Sequence, residues 1–187
     1  MNPSTEDILK AIHEVHAKSV IVLPNNKNII LSARQAAELV EDKQVIVLPT
    51  KTIPQGISAL ISFIPEESAD ENKSRMLEEM EIVRSGEVTY AVRDTNIDGK
   101  EIKAGDYMGI GDEGILCVDQ KLDKTVLGML KQMIDEDSVL ITLYSGCDVK
   151  DKEAKKLFEK VRKAFPDMEI ELQNGGQPVY CYVLSVE

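Results

Sequence analysis

The chain has no tryptophan, 4% aromatic residues, two histidines and three cysteines in 187 residues. Each scarcity removes a class of function. Stacking platforms for single-stranded nucleic acid need aromatic faces. A disulfide framework or zinc knuckle needs cysteines paired at short spacing, whereas Cys117, Cys147 and Cys181 are scattered and odd in number. They read as small apolar residues of strands and turns. Positive charge is short as well. Against 33 acidic residues stand 22 basic ones, a net charge of −11 that phosphate backbones would repel. Nucleic acid is therefore not an expected partner. No apolar run approaches the ~20 residues of a membrane span. The opening "MNPSTEDILK" has neither the basic start nor the apolar core of a signal peptide. The expectation is a cytoplasmic protein.

What is present is an ordinary globular balance, 43% hydrophobic and 29% charged, long enough for one large domain or two small ones. The first 64 residues alternate helix and strand. Ser4 or Thr5 can cap a helix whose apolar stripe is Ile8, Leu9, Ile12 and Val15. "VIVLP" then occurs twice, at Val20–Pro24 and again at Val45–Pro49. Both copies are apolar on both faces, as parallel strands buried between helix layers must be. The stretch between them, Ile29 to Val40, reads as a helix, and Pro54 starts another. Strand, helix, strand with short loops is a βαβ unit, so the copies should run parallel. Their following loops then emerge at one sheet edge, bringing Asn25, Asn26 and Asn28 opposite Thr50, Lys51 and Thr52. Open α/β sheets place ligand sites at that edge. Proline and asparagine also serve simply to end a strand and turn the chain, and both readings stand.

"PEESADENKS" (65–74) is acidic and apolar-poor and is expected to be a loop or linker, followed by a helix from Arg75 to Val83. Beyond Gly86 the period changes. Residues 87–119 read as an antiparallel meander, with Asp98-Gly99 as a hairpin signal. Helices over 122–135 and 150–165, and strands over 138–144, 169–173 and 179–186, complete the expectation. Two subdomains follow: 1–84 as α/β, and 85–187 as α+β with a mixed sheet.

The motif search yields little chemistry. "GIGDEG" (109–114) has dinucleotide-fingerprint spacing, but a strand-like "ILCVD" follows it and two acids occupy the place of a phosphate, so it reads as a hairpin turn. His13 and His16 stand three apart on the first helix without an identifiable third ligand, and no metal is expected. Ser145 and Gly146 in "LYSGCDV" lead from strand to helix, where backbone N–H groups can hold an anion, although a plain capped turn explains them better. In "NGGQPVYCY" (174–182) the glycines suit a turn, which leaves Gln177 unexplained, and Pro178 opens a strand with Tyr180 and Tyr182 on one face. No nucleophile elbow, Walker A loop or HExxH is present.

Charge is the stronger compositional clue. Glu66 to Glu81 holds seven acids and two bases, Asp94 to Asp119 again seven and two, and Lys150 to Lys163 seven bases and three acids. An acidic patch steers encounters with a basic protein, and it also keeps a protein soluble.

"MNPSTEDILKAI", "VIVLPNNKNI", "VIVLPTKTIPQGISAL" and the terminal "GGQPVYCYVLSVE" together resemble the C-terminal domain of the bacterial fatty acid kinase catalytic subunit. That protein belongs to the group with a dihydroxyacetone-kinase-like ATP domain. The resemblance covers nearly the whole chain. It implies a DegV-like fold in two subdomains and a domain that needs no cofactor, ATP and magnesium being held by the parent's N-terminal domain. Its implied role is to dock a DegV-like fatty-acid-binding protein through an acidic groove, alongside the parent's other domains. Those other domains would phosphorylate the bound fatty acid to an acyl phosphate for phospholipid synthesis. No short motif marks the groove. Charge density selects Asp94, Asp98, Glu101, Asp106, Asp112 and Glu113, with Glu66, Glu67, Asp70 and Glu71 as a second choice. The alternative expectation is a small-molecule or lipid-binding domain using the loops after the two "VIVLP" strands.

Overall fold

The computed structural model describes residues 2–97, 99–112 and 114–187. These divide into an N-terminal unit ending at Val83 and a C-terminal unit from Arg84 to Glu187.

In the N-terminal unit, α1 (Thr5–Glu14) starts at a reciprocal cap. The Ser4 hydroxyl accepts from the Asp7 N–H at 3.1 Å, and the Asp7 carboxylate accepts from the Ser4 N–H at 2.8 Å. Its far end is closed by the Lys43 ammonium, which donates to the carbonyls of Ile12, His13 and Val15 at 3.1, 3.2 and 2.6 Å. The helix stops before His16, so the two histidines do not share a helical face as their spacing suggested. Next come β1 (Ser19–Val22), α2 (Ile30–Glu38) and β2 (Gln44–Val47). The strands are parallel, and the repeated letters lie beside themselves: Val20 opposite Val45, Ile21 opposite Ile46, Val22 opposite Val47.

Alternation along these strands explains why both faces are apolar. Val20 packs with Ile8, Ile12, Ala33 and Ala36 of α1 and α2. On the opposite face, Ile46 and Leu48 pack with Ala59 of α3 (Ile53–Ile61) and Met76 and Met80 of α4 (Ala69–Ile82). The acidic stretch 65–74 is thus not a linker throughout, because α4 starts at Ala69. Ser68 and Glu71 form a second reciprocal cap, which overrides the polar composition. Asn72, 1% exposed, fastens the preceding turn, accepting from the Ile64 N–H at 2.7 Å and donating to the Ile64 and Ser68 carbonyls.

The C-terminal unit is a six-stranded sheet. Its strands are β3 (Arg84–Tyr90), β6 (Tyr107–Gly111), β7 (Gly114–Asp119), β8 (Leu140–Ser145), β9 (Glu169–Asn174) and β10 (Tyr182–Val186), in the order β7-β6-β3-β10-β8-β9. All neighbours are antiparallel except β8 and β9, whose connection contains α6 (Asp151–Ala164). Between β3 and β6 the chain makes a separate hairpin, β4 (Thr95–Ile97) with β5 (Lys100–Ile102). The core sets Val126, Met129 and Leu130 of α5 (Leu122–Met133) and Val161 of α6 against Leu143 and Leu184. The last strand starts at Tyr182, not near Val179. Val179 has φ 72, and the Gln177 and Cys181 carbonyls instead accept from the N–H groups of Cys147 and Gly146.

Candidate functional site

The two loops that follow the repeated strands meet, as parallel pairing requires. The Asn25 N–H donates to the Thr50 hydroxyl at 3.0 Å, and Thr50 is fully buried. Asn25 has φ 54, and its carboxamide lies against the Cα of Gly56 in the first turns of α3; a Cβ there would be 2.1 Å from Asn25 Oδ1. Asn26 accepts from the Asn28 N–H at 2.9 Å. The Lys51 N–H donates to the Gln55 carboxamide at 2.8 Å, and the Thr52 hydroxyl caps α3 by accepting from the Gln55 N–H at 3.4 Å. These groups brace one another, and the helix start is served from within. The exception is Asn25 Oδ1, buried with no hydrogen-bond partner among the described residues.

The acidic candidates do not share one place. Asp98 and Glu113 lie outside the described residues. Asp94 accepts from the Ala104 N–H at 2.8 Å and Asp106 from the Lys103 N–H at 2.9 Å, so both carboxylates shape the return from the β4–β5 hairpin. Glu101 is exposed on β5 of that hairpin. Asp112 is exposed in the turn beyond β6, whereas Asp106 precedes that strand. Six residues of extended chain set the two about 20 Å apart. Of the second group, Glu67 pairs with Arg75, Glu71 caps α4, Asp70 accepts from Gln44 and Glu66 is exposed. Hydrogen bonds from Ser68 hold the Glu71 carboxyl below its usual range.

The turn at Ser145–Gly146 is likewise used internally. Gly146 N–H donates to the Cys181 carbonyl at 2.9 Å and Cys147 N–H to the Gln177 carbonyl at 3.0 Å. A Cβ on Gly146 would stand 2.1 Å from the Tyr180 carbonyl oxygen. Gln177 has its explanation here: its carboxamide donates to the Tyr144 carbonyl at 2.9 Å, tying the "NGGQP" turn to β8. No anion can reach these amides without breaking the turn.

A cavity of about 490 Å³ lies beside the start of α5 and the basic helix α6, bordered by Tyr107, Tyr182, Lys121, Lys156 and Lys160. Lys160 is ion-paired with Asp123, whose carboxyl it holds below the ordinary range. Lys121 and the two tyrosines come from distant parts of the chain, so no local pattern could have pointed to this cavity. Burial pushes the Cys117 and Cys181 thiols up, which favours their protonated form at neutral pH. Among the described residues no group of three or more His, Cys, Asp or Glu could hold a metal ion, and no helix is long and apolar enough to cross a membrane.

An α/β unit followed by a mixed six-stranded sheet is the DegV-like architecture. The chain aligns with the fatty acid kinase B3 protein of Streptococcus pneumoniae, solved with linoleic acid, at TM-score 0.68 and 15% identity, covering 99% of this chain and 76% of that one. It aligns with the dihydroxyacetone kinase of C. freundii, solved with AMP-PNP and Mg2+, at TM-score 0.69 and 14% identity over 98% of this chain and 41% of that one. Identities this low establish the fold alone. Membership is settled by sequence. The model of the FakA-like C-terminal family of fatty acid kinases matches residues 1–187, and the chain belongs to that family. Protein YloV of Bacillus subtilis is 46% identical over all 187 residues, and an uncharacterised protein of Staphylococcus haemolyticus is 49% identical. The chain spans about a third, 34%, of the length of these relatives.

Proposed function

We propose that this domain is the docking element of a fatty acid kinase, receiving a DegV-like fatty-acid-binding protein while phosphoryl transfer takes place on other domains of the parent. The observation that carries this reading is the family match along the entire chain. The shared fold with a fatty-acid-loaded kinase B protein supports it. In the proposed reaction the fatty acid carboxylate attacks the terminal phosphorus of ATP, and acyl phosphate and ADP result. ATP and magnesium would be bound outside this domain, whose braced loops and internally used turn amides serve shape.

The contact surface we propose is narrower than the whole acidic window. Asp94, Glu101 and Asp106 are grouped on and around the β4–β5 hairpin, and the turn holding Asp112 is set apart from them. A basic carrier surface meeting that hairpin would associate faster at low salt. The test is binding of a DegV-like carrier, measured by sedimentation velocity at two salt concentrations. Glu101→Lys is expected to weaken binding by about tenfold or more, and Asp112→Lys to leave it within about twofold. Salt-independent binding unaffected by Glu101→Lys would refute the hairpin as the docking surface, and no binding at all would refute the docking role.

A further inference from the structure

The N-terminal unit has more helix than its sheet can carry. Helices α1 and α2 cover one face of β1–β2, and α3 and α4 cover the other. A helix is about 10 Å across and a strand takes ~4.8 Å of sheet, so two helices side by side match roughly four strands. The sheet has two. The shortfall shows as empty space beside β1. A cavity of about 410 Å³ opens among Ile21, Leu23, Leu60, Phe63 and Met76, and another of about 430 Å³ among Ile8, Ile12, Val20, Ile21 and Leu23. They flank β1 on its two faces, share Ile21 and Leu23, and include no residue of β2.

The backbone agrees with the cavities. The Gln44 N–H donates to the Lys18 carbonyl at 2.9 Å and the Leu48 N–H to the Val22 carbonyl at 3.1 Å, so the even-numbered residues of β1 face β2. Residues of a parallel strand alternate between its two edges. Ser19 and Ile21 therefore point their N–H and C=O groups away from β2. The edge is bare, with apolar space on the α1–α2 face and mixed space on the other, where Ser19, Glu67 and Asn72 join the apolar lining. It fits a β-strand whose side chains are apolar toward α1–α2 and partly polar toward α3–α4.

We propose that a further strand, from the polypeptide N-terminal to α1 in the longer parent, lies parallel to β1 on this edge and fills both cavities. Three observations select that occupant. α1 leads directly into β1 and packs on one face of the sheet, where the crossover helix between two parallel strands sits. The β1–α2–β2 unit shows the same construction one step later. And the relatives leave about two-thirds of their length, beyond the 34% matched here, to supply the strand. The proposal is independent of the docking reading, and its test contains no carrier.

The experiment compares hydrogen exchange in three proteins: full-length YloV, its segment matching this chain, and this chain alone. The amides at the positions of Ile21 and Leu23 are expected to exchange about tenfold or more slowly in full-length YloV than in either short form. Even-numbered positions, already bonded to β2, should change less. Sedimentation equilibrium runs alongside, and the short forms are expected to be monomers. Equal exchange in long and short forms overturns the proposal. So does concentration-dependent protection of this chain as a dimer, which would make a second copy the occupant.

Discussion

In the C-terminal unit two helices pack on six strands, whereas in the N-terminal unit four helices enclose two. The larger sheet has a continuous core, with Val126, Met129, Leu130, Leu143 and Leu184 at no measurable exposure. The smaller one divides its apolar residues between two clusters, one on each face, and leaves a side of β1 bare. A layer is stable in proportion to what it can bury. The contrast therefore predicts where the chain is strong and where it depends on something added.

The largest expected effect tests that ranking directly. Leu184→Ala empties a fully buried site on the central strand β10 and should cost about 3 kcal/mol. Ile21→Ala removes a half-buried side chain that already borders two cavities and should cost about 1 kcal/mol. Urea unfolding followed by circular dichroism measures both, and a reversed order would break the comparison.

A smaller effect comes from pH. Burial pushes the Tyr182 hydroxyl up to about 12, with the negative charges of Cys181 and Glu153 adding to it. An unfolded tyrosine ionises near 10, so between pH 10 and 12 the unfolded state releases a proton that the folded state retains. The contribution of Tyr182 to the stability of the C-terminal unit should be constant below that window and fall within it. Tyr182→Phe should make the alkaline decline less steep in a urea titration, the raised Cys117, Cys181, Tyr144 and Tyr180 supplying the remainder.

The smallest effect sharpens the picture of the braced loops. Gly56→Ala favours a helix interior by up to about 1 kcal/mol, but the new methyl meets the Asn25 carboxamide. Asn25→Gly removes that carboxamide at a position whose φ of 54 suits glycine. The first change alone should be neutral or destabilising, and the pair should exceed the sum of the singles by about 0.5–1 kcal/mol. Additivity in thermal melts would mean that the loops do not brace α3.

Much of the fold could be read from periodicity, because the responsible forces are local. The two "VIVLP" strands, the cap at Ser4, the start of α3 at Pro54, the antiparallel strands on either side of "GIGDEG" and the basic helix α6 each follow from residues close in sequence. The start of α4 was legible too, since Ser68-Ala-Asp-Glu71 is a capping-box pattern, yet the acidity and Pro65 made that stretch look like a linker. The candidate site was less legible. Charge density along the sequence says nothing about which side chains a meander returns to one end of a sheet, and here Asp106 and Asp112 fall at opposite ends of one strand. Gln177 resisted interpretation because its partner, the Tyr144 carbonyl, is 33 residues away.

The in-register repeat has a consequence beyond the native molecule. Each "VIVLP" copy matches the other, so each also matches both copies on any neighbouring chain as it leaves the ribosome. Lys18 and Lys43 precede the copies, and Pro24 and Pro49 end them. Stacked ammonium groups repel and proline breaks the donor row, so both ends of the sticky segment are guarded against intermolecular stacking. Lys43 takes up its post at the end of α1 only on folding, so one of the guards against clumping also becomes a clasp of the finished protein.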